Sequence, residues 1–136
     1  MQDAATPIED PEAIAVGTVL VVEDDPAMLS LLVKRLESRG HQCLATGHGV
    51  AALAAIRHAN FDALVTDLDL PGASGVDLAI AVRDASDAPI IVLTGRREEF
   101  RRMLRDVPDV TVLEKPCPTA ALAGLVEAEL TRRRAG

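Results

Sequence analysis

Tryptophan and tyrosine are absent from the 136 residues, and phenylalanine occurs only twice. A core must therefore be assembled from Val, Leu, Ile and Ala, which suits a buried parallel sheet covered by helices. Excess positive charge is missing as well. The net charge of -7 excludes a broad nucleic-acid surface, because phosphate binding needs a basic face. Cys43 and Cys117 are the only cysteines, far apart and outside any CxxC pattern, so they read as reduced thiols rather than as disulfide or metal ligands. No apolar run approaches membrane-spanning length, and the N-terminus lacks the basic-then-apolar order of a signal peptide. No membrane partner is expected, and the cytoplasm is the default location. The three histidines, His41, His48 and His58, read as solvated or helix-surface residues.

What is present is a globular composition, 49% hydrophobic and 26% charged, of a length that suits one domain with a single core. Residues 1–17 are acidic, proline-containing and aperiodic, and read as a flexible arm. After them the chain alternates. Apolar runs of strand length stand at 18–22, 42–46, 63–66, 90–94 and 110–114, and helical patterns fill 26–39, 49–59, 75–85, 98–106 and 118–133. This order predicts an α/β fold of βαβ crossovers, a parallel sheet with helices on both faces. The closing RRR (132–134) complements a helix C-terminus and is not read as a nucleic-acid patch.

The strand ends carry the chemistry. TVLVV runs into Glu23, Asp24 and Asp25; ALVT into Asp67; IIVL into Thr94; VTVLE into Lys115. A parallel sheet puts all these ends at one edge, where open α/β folds place their ligands. Asp25-Pro26 is a good helix start, but one aspartate suffices for a cap. Converging carboxylates repel one another and raise each other's pKa, a conflict that a hard divalent cation such as Mg²⁺ removes with an all-oxygen shell. A metal beside a carboxylate nucleophile, a hydroxyl and an ammonium suits phosphoryl transfer. In this reading Asp67 attacks, Asp24 and Asp25 hold the metal, Thr94 hydrogen-bonds a phosphoryl oxygen and Lys115 offsets charge.

With VVEDDP (21–26), VTDLDLPGASG (65–75), VLTG (92–95) and EKP (114–116) in order, residues 18–133 resemble the receiver domain of two-component response regulators, of the single-domain, chemotaxis-regulator-like kind. The resemblance implies a flavodoxin-like, doubly wound five-stranded sheet in the order 2-1-3-4-5. It implies Asp67 as phosphoacceptor, Asp24 and Asp25 as the acidic pair, the backbone carbonyl of Asp69 as a further Mg²⁺ ligand, Thr94 as the switch hydroxyl and Lys115, before a cis bond to Pro116, as the active-site lysine. Gly75 matches the glycine ahead of the third helix. The implied partners are a histidine kinase or a histidine phosphotransfer protein and an unidentified downstream protein. The expected state is a monomer or weak dimer. The chain is expected to catalyse only its own phosphorylation and dephosphorylation, and to be either a stand-alone receiver or a piece of a larger signalling protein.

Three departures stand out, one of them the segment after Thr94, GRREEFRRMLRDVPD (95–109), arginine-rich where receivers commonly carry an Ala- and Gly-rich pattern. Val112 occupies the position three before the lysine where receivers usually carry Tyr or Phe, and Cys117 follows Lys-Pro where many carry Phe. Two other readings compete. DLDL (67–70) matches the Asp-x-Asp of haloacid-dehalogenase-like phosphohydrolases, but in those the nucleophile precedes the acidic pair, and a cap domain is normally needed. The other is an unphosphorylated receiver-like binding module, which typically lacks the acceptor or the lysine; both are present here.

Overall fold

The computed structural model describes residues 14–135, with only the backbone of Arg97, Phe100 and Ala135. Most of the expected arm therefore lies outside the described residues. Ten elements alternate: β1 (Thr18–Val22), α1 (Pro26–Ser38), β2 (Gln42–Thr46), α2 (Gly49–His58), β3 (Ala63–Asp67), α3 (Gly75–Ala85), β4 (Ile90–Thr94), α4 (Arg97–Met103), β5 (Val110–Glu114) and α5 (Thr119–Ala135). All strand pairs are parallel, in the order β2-β1-β3-β4-β5. This is the expected doubly wound sheet, and its winding reverses between β1 and β3, where such folds open a crevice.

Side chains alternate across a strand, and the core divides accordingly. Val19, Val21, Ala63, Val65, Ile91 and Leu93 face α1 and α5, meeting Leu32, Leu36, Leu122 and Val126. Leu20, Val22, Leu64, Ile90 and Val92 face α2 and α3, meeting Ala52, Ile56, Leu78 and Val82. β3 and β4 are buried throughout, which explains their unbroken apolar runs, whereas edge strands β2 and β5 are only partly covered.

Caps aim the helices at the edge where the strands end. Asp25 caps α1 by accepting the Ala27 N–H at 3.0 Å, with Pro26 in the first turn. Ser74 and Asp77 form a capping box on α3. Beyond α1 the chain turns at Gly40, whose φ of 95° favours glycine.

The fold departs from the sequence reading at the end of α4 and at His41. The helix expected over 98–106 ends at Met103. The residue before Pro108 is disfavoured in helical conformation, and the Val107 N–H closes a turn onto the Leu104 carbonyl instead. His41 is not solvated: it is 3% exposed. The Gly17 N–H donates to its Nδ1 at 3.2 Å, and its Nε2 lies 3.0 Å from Glu127 Oε2. Arg39 grips both Glu127 oxygens at 2.7 Å. His41's partners lie 24 and 86 residues away in the chain, so no local pattern announces them. This cluster stands at the opposite end of the sheet from the acidic residues and ties the approach to β1 onto α5.

The terminal arginines are occupied as well: Arg132 pairs with Glu129, Arg133 with Asp87, and Arg134 donates to the Val16 carbonyl. Cys43 and Cys117 are free thiols, and burial, aided by Glu37, pushes Cys43 up to about 11. Among the described residues no helix is long and apolar enough to cross a membrane.

Candidate functional site

Parallel register sets Val22 beside Thr66, Asp67 beside Leu93 and Thr94 beside Glu114. The residues that end or follow these strands therefore share one edge. Asp67 is 8% exposed, Glu23 and Thr94 2% each. One carboxylate oxygen from each of Glu23, Asp24 and Asp67 lies within 4.8 Å of the others. The Lys115 ammonium reaches across from the end of β5, 3.0 Å from Asp67 Oδ1 and 3.3 Å from Glu23 Oε1. Asp67 Oδ1 also accepts the Leu68 N–H at 2.9 Å. The Lys115–Pro116 peptide is cis.

The charges do not balance. Three carboxylates face one ammonium, leaving two negative charges (three minus one). Burial raises the Glu23 carboxyl above its ordinary range and the charge of Asp67 adds to that, against the Asp25 N–H and Lys115, which lower it. Burial pulls the Lys115 ammonium down, but its hydrogen bond to Asp67 and the charges of Asp67 and Glu23 outweigh this and raise it. Beside the cluster a cleft of about 400 Å³ opens between α1 and the β5–α5 loop. Met28, Leu32, Leu93, Pro116, Cys117 and Leu122 line it, together with Glu23, Asp25 and Lys115. This apolar wall borders Glu23, which is buried, and so strengthens its interactions with Asp67 and Lys115. The departure at Cys117 falls in the same wall.

Asp25 is not in the cluster. Its side chain is spent on capping α1, and Glu23, absent from the sequence-derived ligand set, takes its place against Asp67 and Lys115. The backbone N–H of Asp25 instead supports Glu23, donating to its Oε2 at 3.2 Å. Asp69 is exposed at the rim, where its Oδ1 holds Arg96 at 2.8 Å. Thr94 Oγ1 accepts the Arg96 N–H at 2.9 Å. Gly75 opens α3 directly under the site, donating its N–H to the Leu68 carbonyl at 2.8 Å.

A buried carboxylate beside an ammonium, with two further carboxylates close enough to share a cation, is an arrangement suited to accepting a phosphoryl group. Residues 19–127 match the response regulator receiver domain. The chain belongs to that family. The receiver is 36% identical over 80 residues to the DNA-binding response regulator MtrA of Mycolicibacterium smegmatis, a match covering 59% of this chain and 35% of that protein. It is 35% identical over 86 residues to the transcriptional regulatory protein BaeR of Escherichia coli O6:H1, covering 63% of this chain and 36% of that one. The receiver thus spans little more than a third of the curated relatives it matches. The solved response regulator receiver protein from Sinorhizobium medicae WSM419 superposes with a TM-score of 0.79 at 27% identity, covering 90% of this chain and 98% of that chain.

Receivers are signalling domains of two-component systems rather than classical enzymes, and their partners in the family are histidine kinases and phosphotransfer proteins. Membership sets aside the phosphohydrolase reading of DLDL.

Proposed function

We propose that Asp67 takes a phosphoryl group from the phosphohistidine of a histidine kinase or histidine phosphotransfer protein in the cytoplasm, and that the phosphorylated receiver acts by docking on another protein. The observation that carries this is the Lys115 ammonium bridging Asp67 and Glu23 inside the three-carboxylate cluster. Lys115 and the Leu68 N–H engage Oδ1 of Asp67, so Oδ2 is the attacking atom. It forms a bond to the donor phosphorus as the phosphorus–nitrogen bond breaks, and the imidazole leaves with the electron pair.

Thr94 Oγ1 accepts from Arg96, and its own hydrogen is available to a phosphoryl oxygen. Lys115 neutralises charge as it develops on the transferred group. The donor set fits a divalent cation: all oxygen, two uncompensated charges, and a Glu23 carboxyl that burial makes costly to ionise alone. Glu23, Asp24 and Asp67, with the carbonyl of Asp69, would hold Mg²⁺, which supplies charge neutralisation at the phosphoryl oxygens.

Intact mass after incubation with Mg²⁺ and a small acyl phosphate tests the reading. The wild type gains one phosphoryl group and Asp67→Asn gains none. Full labelling of Asp67→Asn, or no labelling of the wild type, defeats the assignment and in the second case favours an unphosphorylated binding module.

A further inference from the structure

Arg96 stands where three parts of the molecule meet. Its backbone N–H is held by the hydroxyl of Thr94, at 2.9 Å. One arm of its guanidinium reaches Asp69 Oδ1 at 2.8 Å, in the loop two residues past Asp67. The other reaches Glu99 Oε2 at 3.1 Å, in the first turn of α4. A single residue thus links the switch hydroxyl, through its backbone, to the rim of the carboxylate cluster and the helix beyond, through its side chain. A further cleft of about 360 Å³, lined by Gly95, Arg96, Glu98, Glu99 and Glu114, lies alongside. A side chain added at Gly95 would meet nothing within 4 Å. Arg96 therefore has room to move and a permissive residue at its base.

We propose that Arg96, positioned by Glu99, is the element through which α4 reads the charge on Asp67. The inference rests on Asp67 being the phosphoacceptor. Phosphorylation replaces a monoanionic carboxylate with a group carrying about −2 charge and strong acceptor oxygens. A guanidinium binds such a group in bidentate fashion and prefers it to an exposed carboxylate. Asp69 and Glu99 are the carboxylates it would leave. Both are solvent-exposed, their side chains 72% and 50% accessible, so they hold Arg96 weakly and the exchange is favourable.

Because the Arg96 N–H is tied to Thr94, movement of the Thr94 hydroxyl toward the phosphoryl group carries the Arg96 backbone in the same direction. The first turn of α4 then loses its ionic tether. A ligand shifts an equilibrium only by interacting differently with its two states, and here the difference is named: Arg96 paired with Glu99, or Arg96 paired with the phosphoryl group. Val112 has few rotamers and no long ring to swing, so this ionic route does not depend on an aromatic residue in β5.

The test uses amide resonances of the full chain, with Mg²⁺ and beryllofluoride as a stable phosphoryl mimic, in wild type, Glu99→Gln, Arg96→Lys and Arg96→Ala. In the wild type, amides of both 94–96 and 98–103 shift. Glu99→Gln keeps the response at 94–96 and loses most of it over 98–103. Arg96→Lys behaves like Arg96→Ala over 98–103, since an ammonium cannot bridge two carboxylates with a planar fork. A purely structural Glu99 would move the unliganded spectrum and leave the ligand-induced shifts intact. An α4 response in Glu99→Gln and Arg96→Ala equal to that of the wild type overturns the relay. No response at 94–96 in the wild type overturns the phosphoacceptor reading on which it rests.

Discussion

Replacing Gly75 with alanine probes how closely α3 approaches the acceptor. An ideal Cβ at this position lies 2.5 Å from the Asp67 carbonyl oxygen and 3.0 Å from the Leu68 Cα, both backbone atoms. Ordinary contact begins near 3.4 Å, so the Asp67 carbonyl or the start of α3 must retreat by about 0.9 Å (3.4 minus 2.5). Gly75 has no positive φ, so alanine carries no conformational penalty and even gains about 0.5–1 kcal/mol of helix preference. Overpacking of this kind costs about 1–3 kcal/mol, for a net loss of roughly 1–2 kcal/mol and a fall in Tm of several degrees.

The functional effect is larger, because a displacement approaching 1 Å at a reacting group costs on the order of 100-fold in rate. We expect Gly75→Ala to accept phosphate from a small acyl phosphate about 10- to 100-fold more slowly, measured by intact mass over time, while still folding. Gly124→Ala in α5 is the control. Nothing lies within 4 Å of its added Cβ, so Tm should rise slightly with the rate unchanged. A Gly75→Ala receiver that phosphorylates and melts like the wild type would refute the steric argument.

Glu23→Gln should raise Tm in metal-free buffer at neutral pH and abolish the stabilisation that Mg²⁺ confers. The raised Glu23 carboxyl keeps its proton in the folded chain above the ordinary value of 4.5. Its ionisation therefore removes stability as pH climbs through that window, and the amide escapes the penalty; melts with and without Mg²⁺ across pH check both halves. Glu127→Ala should cost about 1–3 kcal/mol by leaving the buried His41 Nε2 without its partner, yet leave labelling by the small donor intact below the melting range. Arg39, outweighing burial, and His41 hold the Glu127 carboxyl below its ordinary 4.5. The stability it contributes is full above that value and lost as pH falls through the lowered one, which acid melts of wild type against the variant will show. Arg96→Ala should shorten the phosphoryl lifetime and Asp69→Ala lengthen it by freeing the guanidinium. Each change should be within about fivefold, because exposed ion pairs contribute no more than about 1 kcal/mol; decay unchanged from wild type in both variants and in the double mutant would leave the pair without influence.

The sheet was legible because both of its signals are local. Uninterrupted apolar runs mark strands buried on both faces, and α1 and α3 carry their own caps, Asp25-Pro26 and Ser74 with Asp77. The end of α4 was not legible, since REEFRRMLR keeps a helical pattern that is interrupted only by the turn before Pro108. His41 was missed for another reason: its partners, Gly17 and Glu127, are remote in sequence. A buried polar group is recognised by the donors and acceptors that satisfy it, and those are set by the tertiary fold.

The make-up of the carboxylate cluster turned on one residue, and a periodicity already in the chain accounts for it. Side chains on a strand alternate between its faces, and Val19, Val21, Ala63, Val65, Ile91 and Leu93 all look toward α1 and α5. Counting on in twos from Val21 reaches Glu23. From Val65 the count reaches Asp67, and from Leu113, which packs against the same core, it reaches Lys115. These are the three side chains that meet at 3.0 and 3.3 Å. Asp25 has the same parity on paper, but Pro26 follows it, and a residue before proline at a helix start is drawn into the cap. The acidic run thus separates into Glu23, which continues the strand's alternation, Asp24, which joins the cluster from an exposed position, and Asp25, which begins the helix. A carboxylate placed by strand alternation lies in the buried site, where its charge must be compensated, whereas one claimed by a cap stays solvated and needs no cation. Parity and cap, taken together, separate the clustered carboxylate from its neighbour where the acidic count alone could not.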